Sequence, residues 1–547
     1  MKPTRVLLLL AALLPCALPA QEKVDLSVVH RIKEEAFLNS RVMDHLFYLT
    51  DVYGPRLTGS PGYKAAADWA SKQLEAYGLK NVKQEKWGPF GRSWSCTRFS
   101  AHLLEPQYAV LIGVPLAWSP GTNGPVSGEV ILTPFKREPT PKKMEAELAR
   151  YFEANKGKLR GKVVLLGETK ELEPPSDPLN KRYSDPDLAA EATSPIPVPL
   201  STFDFSKLEV PEDPKKRAQF WDVVPWWISD AIWEKQDQLR DKMNRFLSEE
   251  GAKVVVVSSY RGDGGTIFGE HAGSYKPDAP EPPPTFALTV EHFDRIARLI
   301  EKKVPVRLQV EMETRFPKEP VDGFNVLAEI PGGKKKDEVV MVGAHFDSWA
   351  AGTGATDNGA GSAVVMEVLR ILKALGLQMD RTVRLGLWGG EEQGYFGSRA
   401  YVKEHFADPE TMMLGMAHAK LAGYFNIDNG SGKTRGVYLQ NNDAARPIFE
   451  AWLAPFHDLG VTTISIRNTG GTDHLSFDAV GLPGFQFIQD PLEYDTRTHH
   501  SNMDVYDHVQ AGDLRQASAV LASVVYHAAL REEMMPRKPL PKPRPKN

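Results

Sequence analysis

The chain has 547 residues, of which 42% are hydrophobic and 25% charged, and a net charge of −4 from 66 basic and 70 acidic side chains. That length allows roughly two to four domains at ~150 residues each. The near-neutral balance excludes a general nucleic-acid binder, and two cysteines, Cys16 and Cys96, exclude a disulfide-dense scaffold.

The first 20 residues read as a leader and not as fold. Lys2 and Arg5 precede the apolar run Val6–Leu14, and Pro15–Ala20 exits in small residues. This is the pattern of a secretory signal peptide, with cleavage expected after Ala20. The apolar run is too short to span a bilayer, and no later stretch is long and apolar enough. A secreted or periplasmic product with no transmembrane segment is expected. Removal of the leader leaves Cys96 alone, so no intrachain disulfide can form, and Cys96 reads as a small buried residue.

Residues 21–120 read as the N-terminal part of an α/β domain. Helical spacing covers Arg41–Leu49 and Gly62–Tyr77, where Ala66, Trp69, Leu74 and Ala76 recur among polar positions. Gly78 reads as a C-cap, and Gln107–Val114 as a strand. Residues 121–320 change character, with short strands at Val126–Leu132 and Gly161–Leu166 and a Pro- and Asp-rich stretch over 172–215. Phe220, Trp221, Trp226, Trp227 and Trp233 precede a charged helix, Glu234–Leu247, and read as core or domain-contact aromatics. A strand at Gly251–Val257, a Pro282–Pro284 linker, a helix at Thr289–Lys302 and a strand at Val304–Thr314 follow.

Residues 321–535 alternate between the two periods. Strands are predicted at Asn325–Ile330, Glu338–Ala344, Thr382–Trp388, Gly423–Ile427, Thr462–Ile466 and Gly484–Ile488. Helices are predicted at Ser362–Leu375, Gly397–Phe406, Asp443–His457 and Asp513–Leu530. Such alternation implies an α/β fold with a mostly parallel central sheet flanked by helices. Residues 536–547 alternate Pro with Lys or Arg and read as a disordered, solvated tail.

The residues with chemistry cluster at the ends of these strands. The run Val339–Ala344 stops at His345, Asp347 follows, and a Gly-rich loop delivers Asp357. Glu391 and Glu392 come just after the next strand, Asp428 after another, and His500 just before the last helix. The C-terminal edge of an open α/β sheet is where sites form. His345, Asp357, Glu392, Asp428 and His500 offer nitrogen and oxygen donors that suit zinc. Five ligands exceed one tetrahedral site. One shared carboxylate gives each of two zinc ions three protein ligands. Glu391 is then the natural general base, and Asp347 can fix the tautomer of His345. His499 competes with His500 for the last ligand position. Asn429-Gly430-Ser431 matches a glycosylation sequon but abuts a ligand position.

His345-Phe-Asp347-Ser-Trp, Ala355-Thr-Asp357-Asn-Gly, Trp388-Gly-Gly-Glu391-Glu392-Gln-Gly, Asn426-Ile-Asp428, Gly471-Thr-Asp473-His474 and His500-Ser-Asn-Met-Asp504 occur in this order. Together they resemble the co-catalytic zinc exopeptidase family that includes bacterial leucyl aminopeptidases and plasma glutamate carboxypeptidase. The resemblance implies that Asp357 bridges the metals, that His345 and Asp428 hold one ion, and that Glu392 and His500 hold the other. It gives Glu391 the acid–base role, Asp347 the orienting role, and favours His500, four residues before Asp504, over His499. His474 and Tyr494 are candidate substrate-binding residues.

Residues 121–320 resemble an inserted, β-rich protease-associated domain with a long insertion at about 166–250. That insertion is expected to wall the site against long peptides. The expected activity is hydrolysis near one end of short peptide substrates, foremost as an aminopeptidase. A carboxypeptidase or dipeptidase is the alternative, and a glutaminyl cyclase or a non-catalytic receptor-like relative ranks lower.

Overall fold

The computed structural model describes residues 22–138, 140–174, 176–198, 209–259 and 261–543; the leader lies outside them. Two eight-stranded sheets organise the chain. The catalytic sheet runs in the order Lys80–Arg92, Pro320–Ile330, Arg381–Trp388, Lys335–His345, Leu421–Asn426, Gly484–Gln489, Thr434–Tyr438, Thr463–Ser465. Its central strands, from Arg381–Trp388 to Gly484–Gln489, are parallel. The neighbours that flank them on either side pair antiparallel. This is the α/β architecture that the alternating pattern implies.

The two-residue period of a strand assigns the core. Val340, Val342 and Ala344 face the larger cluster, where helices Ala360–Ala374 and Ala511–Leu530 cover the sheet. Met341 points the other way, against Trp388, Tyr424 and Phe477. A strand buried on both faces reads as a continuous apolar run. Each fully buried side chain of this kind contributes about 1.5–3 kcal/mol. The central strand Lys335–His345 is apolar from Val339 to Ala344, and polar residues begin at its C-terminal end with His345.

The second sheet has the order Ala109–Val110, Ser95–Glu105, Arg307–Arg315, Val126–Thr133, Val163–Leu166, Val254–Ser258, Thr285–Leu288, Gly113–Pro115. We assign the strands of this sheet to a second domain, and its Ser95–Glu105 strand, upstream of the boundary expected at 120/121, pairs with Arg307–Arg315. Lys80–Arg92, which has no apolar alternation, instead pairs with Pro320–Ile330 in the catalytic sheet.

The insertion is more helical than its composition suggests. Ser184 caps a helix at Asp185–Ala192 within the stretch read as irregular. The charged helix starts earlier than expected and runs Trp226–Glu249. Its Leu239, Met243 and Leu247 pack with Leu148, Tyr151 and Val255 of the second domain. Its first turns face the catalytic domain. Asp230 pairs with Arg399 at 2.8 Å, and the Trp233 ring lies 6.1 Å from that of Tyr395. Trp226 joins this contact, with the Arg399 guanidinium 4.3 Å from its ring centroid.

Two smaller expectations change. Cys96 is half-buried, with Sγ 3.3 Å from the Arg98 carbonyl. The start of the tail is anchored, because Arg537 donates to the carbonyls of His418 and Leu421, and Lys538 reaches Asp478 at 2.5 Å. Alternating Pro and Lys identify a segment without regular structure, and here its cations find partners on the body of the protein. Among the described residues no helix is long and apolar enough to cross a membrane.

Candidate metal centre and active site

Strand register assembles the site. His345 is the last residue of its strand and pairs with Trp388, so the Glu391–Glu392 turn emerges beside it. Gly343 pairs with Asn426, which sets Asp428 level with His345. The loop after His345 turns at Gly354, whose φ of 71° is left-handed. A Cβ there would lie 2.3 Å from that of Ser348, so this tight return, which brings back Asp357, requires glycine.

His345 Nε2 lies 3.1 Å from Asp357 Oδ1 and 3.4 Å from Asp428 Oδ1. His500 Nε2 lies 3.2 Å from Asp357 Oδ2 and 3.0 Å from Glu392 Oε2. The five side chains thus form two groups that share Asp357. His499 Nε2 is farther from Asp357 Oδ2, at 3.6 Å, and its ring centroid lies 3.8 Å from that of His500 with the planes tilted by 41°. Glu391 Oε2 stands 4.0 Å from His345 Nε2.

The charges suit bound cations. Burial, then the Asp357 carboxylate, push Glu392 up to about 8. Burial raises Glu391 well above the usual range, with Asp428, Asp473 and Glu392 adding to it against His345. Burial opposes charge on His345 and His500, yet the carboxylates around them outweigh it and hold both imidazoles well above their usual value. Asp357 Oδ2 and Glu392 Oε1 are buried without a hydrogen-bond partner. Orphaned carboxylate oxygens in a buried pocket suit cations, and a mixed imidazole and carboxylate set suits zinc.

The support of the ligands differs in detail from expectation. His345 Nδ1 donates to the backbone carbonyl of Asp347 at 3.0 Å, while the Asp347 carboxylate is 3.7 Å away. That carboxylate instead accepts from the backbone N–H of Glu391 and of Glu392, at 3.2 and 3.3 Å, and from the Thr58 hydroxyl. Asp347 thereby ties the glutamate turn to the His345 strand. Asp504 accepts from the backbone and hydroxyl of Thr356 and so fixes the residue before Asp357.

Tyr494 is half-buried and faces the cluster. Loss of solvent, then the carboxylates of Asp357, Asp428 and Glu392, raise its phenol well above the usual value. His474 is fully buried to one side, with Nε2 against Gln440 and 3.0 Å from the Thr469 carbonyl. Burial lowers it to about 3. Neighbouring Asp473 is also fully buried, and it acts electrostatically on Glu391. Asn429 of the sequon donates to the Phe487 carbonyl at 2.8 Å.

Arg56 carries no motif and escapes sequence reading. It is fully buried, and its guanidinium donates to the carbonyls of Phe346, Leu49, Thr353 and Gly354 at 2.8–3.0 Å. It staples the His345–Asp347 turn to the glycine loop. Arg56→Met strands these carbonyls, and at about 1–3 kcal/mol per unsatisfied group a loss of about 3 kcal/mol or more is expected. A denaturant melt that stays within 1 kcal/mol (roughly, on the same scale) would contradict this role.

Comparison with known proteins gives the family. The sequence profile of peptidase family M28 matches residues 325–525. Carboxypeptidase Q of Bos taurus is 33% identical over 504 residues, which cover 91% of this chain and 87% of that protein. Aminopeptidase YwaD of Bacillus subtilis is 28% identical over 209 residues, 37% of this chain and 44% of that one. The crystal structure of a peptidase M28 precursor from Shewanella amazonensis superposes with a TM-score of 0.62 at 23% identity, covering 94% of this chain and 98% of its own. The chain belongs to peptidase family M28 and is a metallo-exopeptidase, a hydrolase of peptide bonds.

Proposed function

We propose that the protein is an exported two-zinc exopeptidase that trims short peptides from the amino end. The observation that carries this reading is the Asp357 carboxylate, which offers one oxygen to the His345 side and the other to the His500 side. His345 and Asp428 would hold one ion, Glu392 and His500 the other, and Asp357 both. Bound there, zinc would supply Lewis acidity toward the scissile carbonyl and toward water. Glu391 accepts the proton of the attacking water and returns it to the leaving amine. Tyr494 faces the same space and is suited to contact substrate, whereas His474, held by Gln440 and Thr469, is suited to support the fold. The leader pattern of residues 1–20 supports export.

The choice of the amino end is favoured by the likeness to aminopeptidase YwaD. A carboxypeptidase or dipeptidase is the second reading, favoured by the near full-length likeness to carboxypeptidase Q.

One panel separates them. Dipeptides and longer peptides are offered free, N-acetylated and C-amidated. Acetylation is expected to abolish cleavage, and amidation to leave it. Loss of cleavage on amidation, with or without loss on acetylation, establishes the second reading and overturns the first. The same panel tests the wall formed by the insertion. Trp233→Ala, which opens the contact with Tyr395 beside the site, is expected to raise the rate on longer peptides relative to dipeptides. An unchanged ratio removes the wall from the account.

A further inference from the structure

The last metal ligand is not held by the catalytic domain alone. Residues 265–271 belong to the second domain, and they lie along residues 500–502 as a short two-stranded contact. Phe268 and Ser501 form a β-bridge. The Gly269 N–H donates to the His500 carbonyl at 2.9 Å. The Ile267 N–H donates to Asn502 Oδ1 at 2.7 Å, and the Asn502 N–H returns a bond to the Ile267 carbonyl at 3.0 Å. His500 itself sits at a φ of 61°, the left-handed region that a residue with a Cβ rarely enters unaided.

At the centre of this contact Glu270 Oε1 lies 2.7 Å from His500 Nδ1. A carboxylate only accepts, so Nδ1 carries the hydrogen, and in the neutral imidazole that binds a metal the lone pair of Nε2 points toward Asp357 and Glu392. Trp349 closes the arrangement, stacked on His271 at 5.3 Å and edge-on to His500 at 5.9 Å. The other histidine ligand, His345, donates its equivalent bond to the backbone carbonyl of Asp347, in the turn that follows its own strand.

We propose that Glu270 is a positioning residue contributed by the second domain, and that it sets the affinity of the zinc ion held by Glu392 and His500. The proposal rests on the two-zinc reading above. A carboxylate behind a histidine ligand fixes its ring and raises its basicity, and loss of such a partner typically weakens metal binding by 10–100-fold. The two ions are therefore inequivalent in what supports them. The His345 side is supported within the catalytic sheet, and the His500 side depends on the second domain being docked.

The test is zinc occupancy in zinc-buffered solutions, measured by plasma mass spectrometry on the full chain, with melting temperature recorded in chelator. Wild type is expected to hold two ions. Glu270→Ala is expected to retain one at unchanged affinity and to bind the other about 10–100-fold more weakly. Glu270→Gln, which keeps a neutral acceptor, should fall between. If Glu270→Ala binds both ions as wild type does, the proposal is overturned, whether or not the chelated protein melts earlier, because early melting alone marks a merely structural contact. If wild type itself never exceeds one ion, the two-zinc reading has failed before this one is reached.

Discussion

Glu391→Gln is expected to keep its zinc and lose about 10²–10⁴-fold in kcat, the range typical of a missing general acid–base group. The substitution preserves shape, and Glu391 holds no position among the five ligand side chains. Its own backbone N–H, which donates to Asp347, is untouched. The turn that carries Glu392 should stay in place, and with it the metal content. KM should move little, because the carboxylate acts on protons in flight and contributes little to ground-state binding. The check is steady-state kinetics on a dipeptide beside zinc analysis of the same preparation. An enzyme that keeps both its zinc and its full rate would falsify the assignment.

Asp357→Asn is expected to act on both halves at once. The carboxylate gives an oxygen to each imidazole group, and an amide offers only one oxygen and no charge. Occupancy should fall below one ion per chain at zinc levels that saturate wild type, and activity should fall by more than about 10³-fold, at least the scale set by losing the acid–base group alone. Stability gives an independent reading. Metal that binds only the folded state adds RT ln(1 + [L]/Kd), about 4 kcal/mol at a thousandfold excess over Kd. Wild type should therefore melt higher with zinc than with chelator, and Asp357→Asn should show little difference. A variant that still gains the full zinc shift would show that Asp357 is not the shared ligand.

What the sequence made visible was local. His345, Asp357, Glu392 and Asp428 stand where an apolar strand gives way to polar residues, and period and motif coincide there. The central strands were legible for the same reason, since both faces are buried and the apolar run is unbroken. Lys80–Arg92 was not, because most of it is exposed or half-buried and alternates in nothing. Arg56 and Glu270 were hidden differently. Arg56 reaches Phe346, and Glu270 reaches His500, across long stretches of chain, and neither sits in a local pattern that names its partner. Asp347 was expected to reach His345 through its carboxylate, and its backbone carbonyl does so instead, because which of its oxygens faces His345 depends on a turn that sequence spacing does not describe.

The pairing of Arg92 with Pro320 has a consequence for how the chain is made. The first strand of the catalytic sheet leaves the ribosome well before its partner, with residues 93–319 still to come. Closing so long a loop directly is entropically unfavourable. The second domain sits within that loop, and its own terminal strands, Ser95–Glu105 and Arg307–Arg315, lie side by side. Once it has folded, residues 92 and 320 are delivered as neighbours, and the long closure becomes a short one. Domain-by-domain folding during translation then gives the second domain a duty in biogenesis that comes before any in catalysis. Its early completion lets the catalytic sheet start from a held edge.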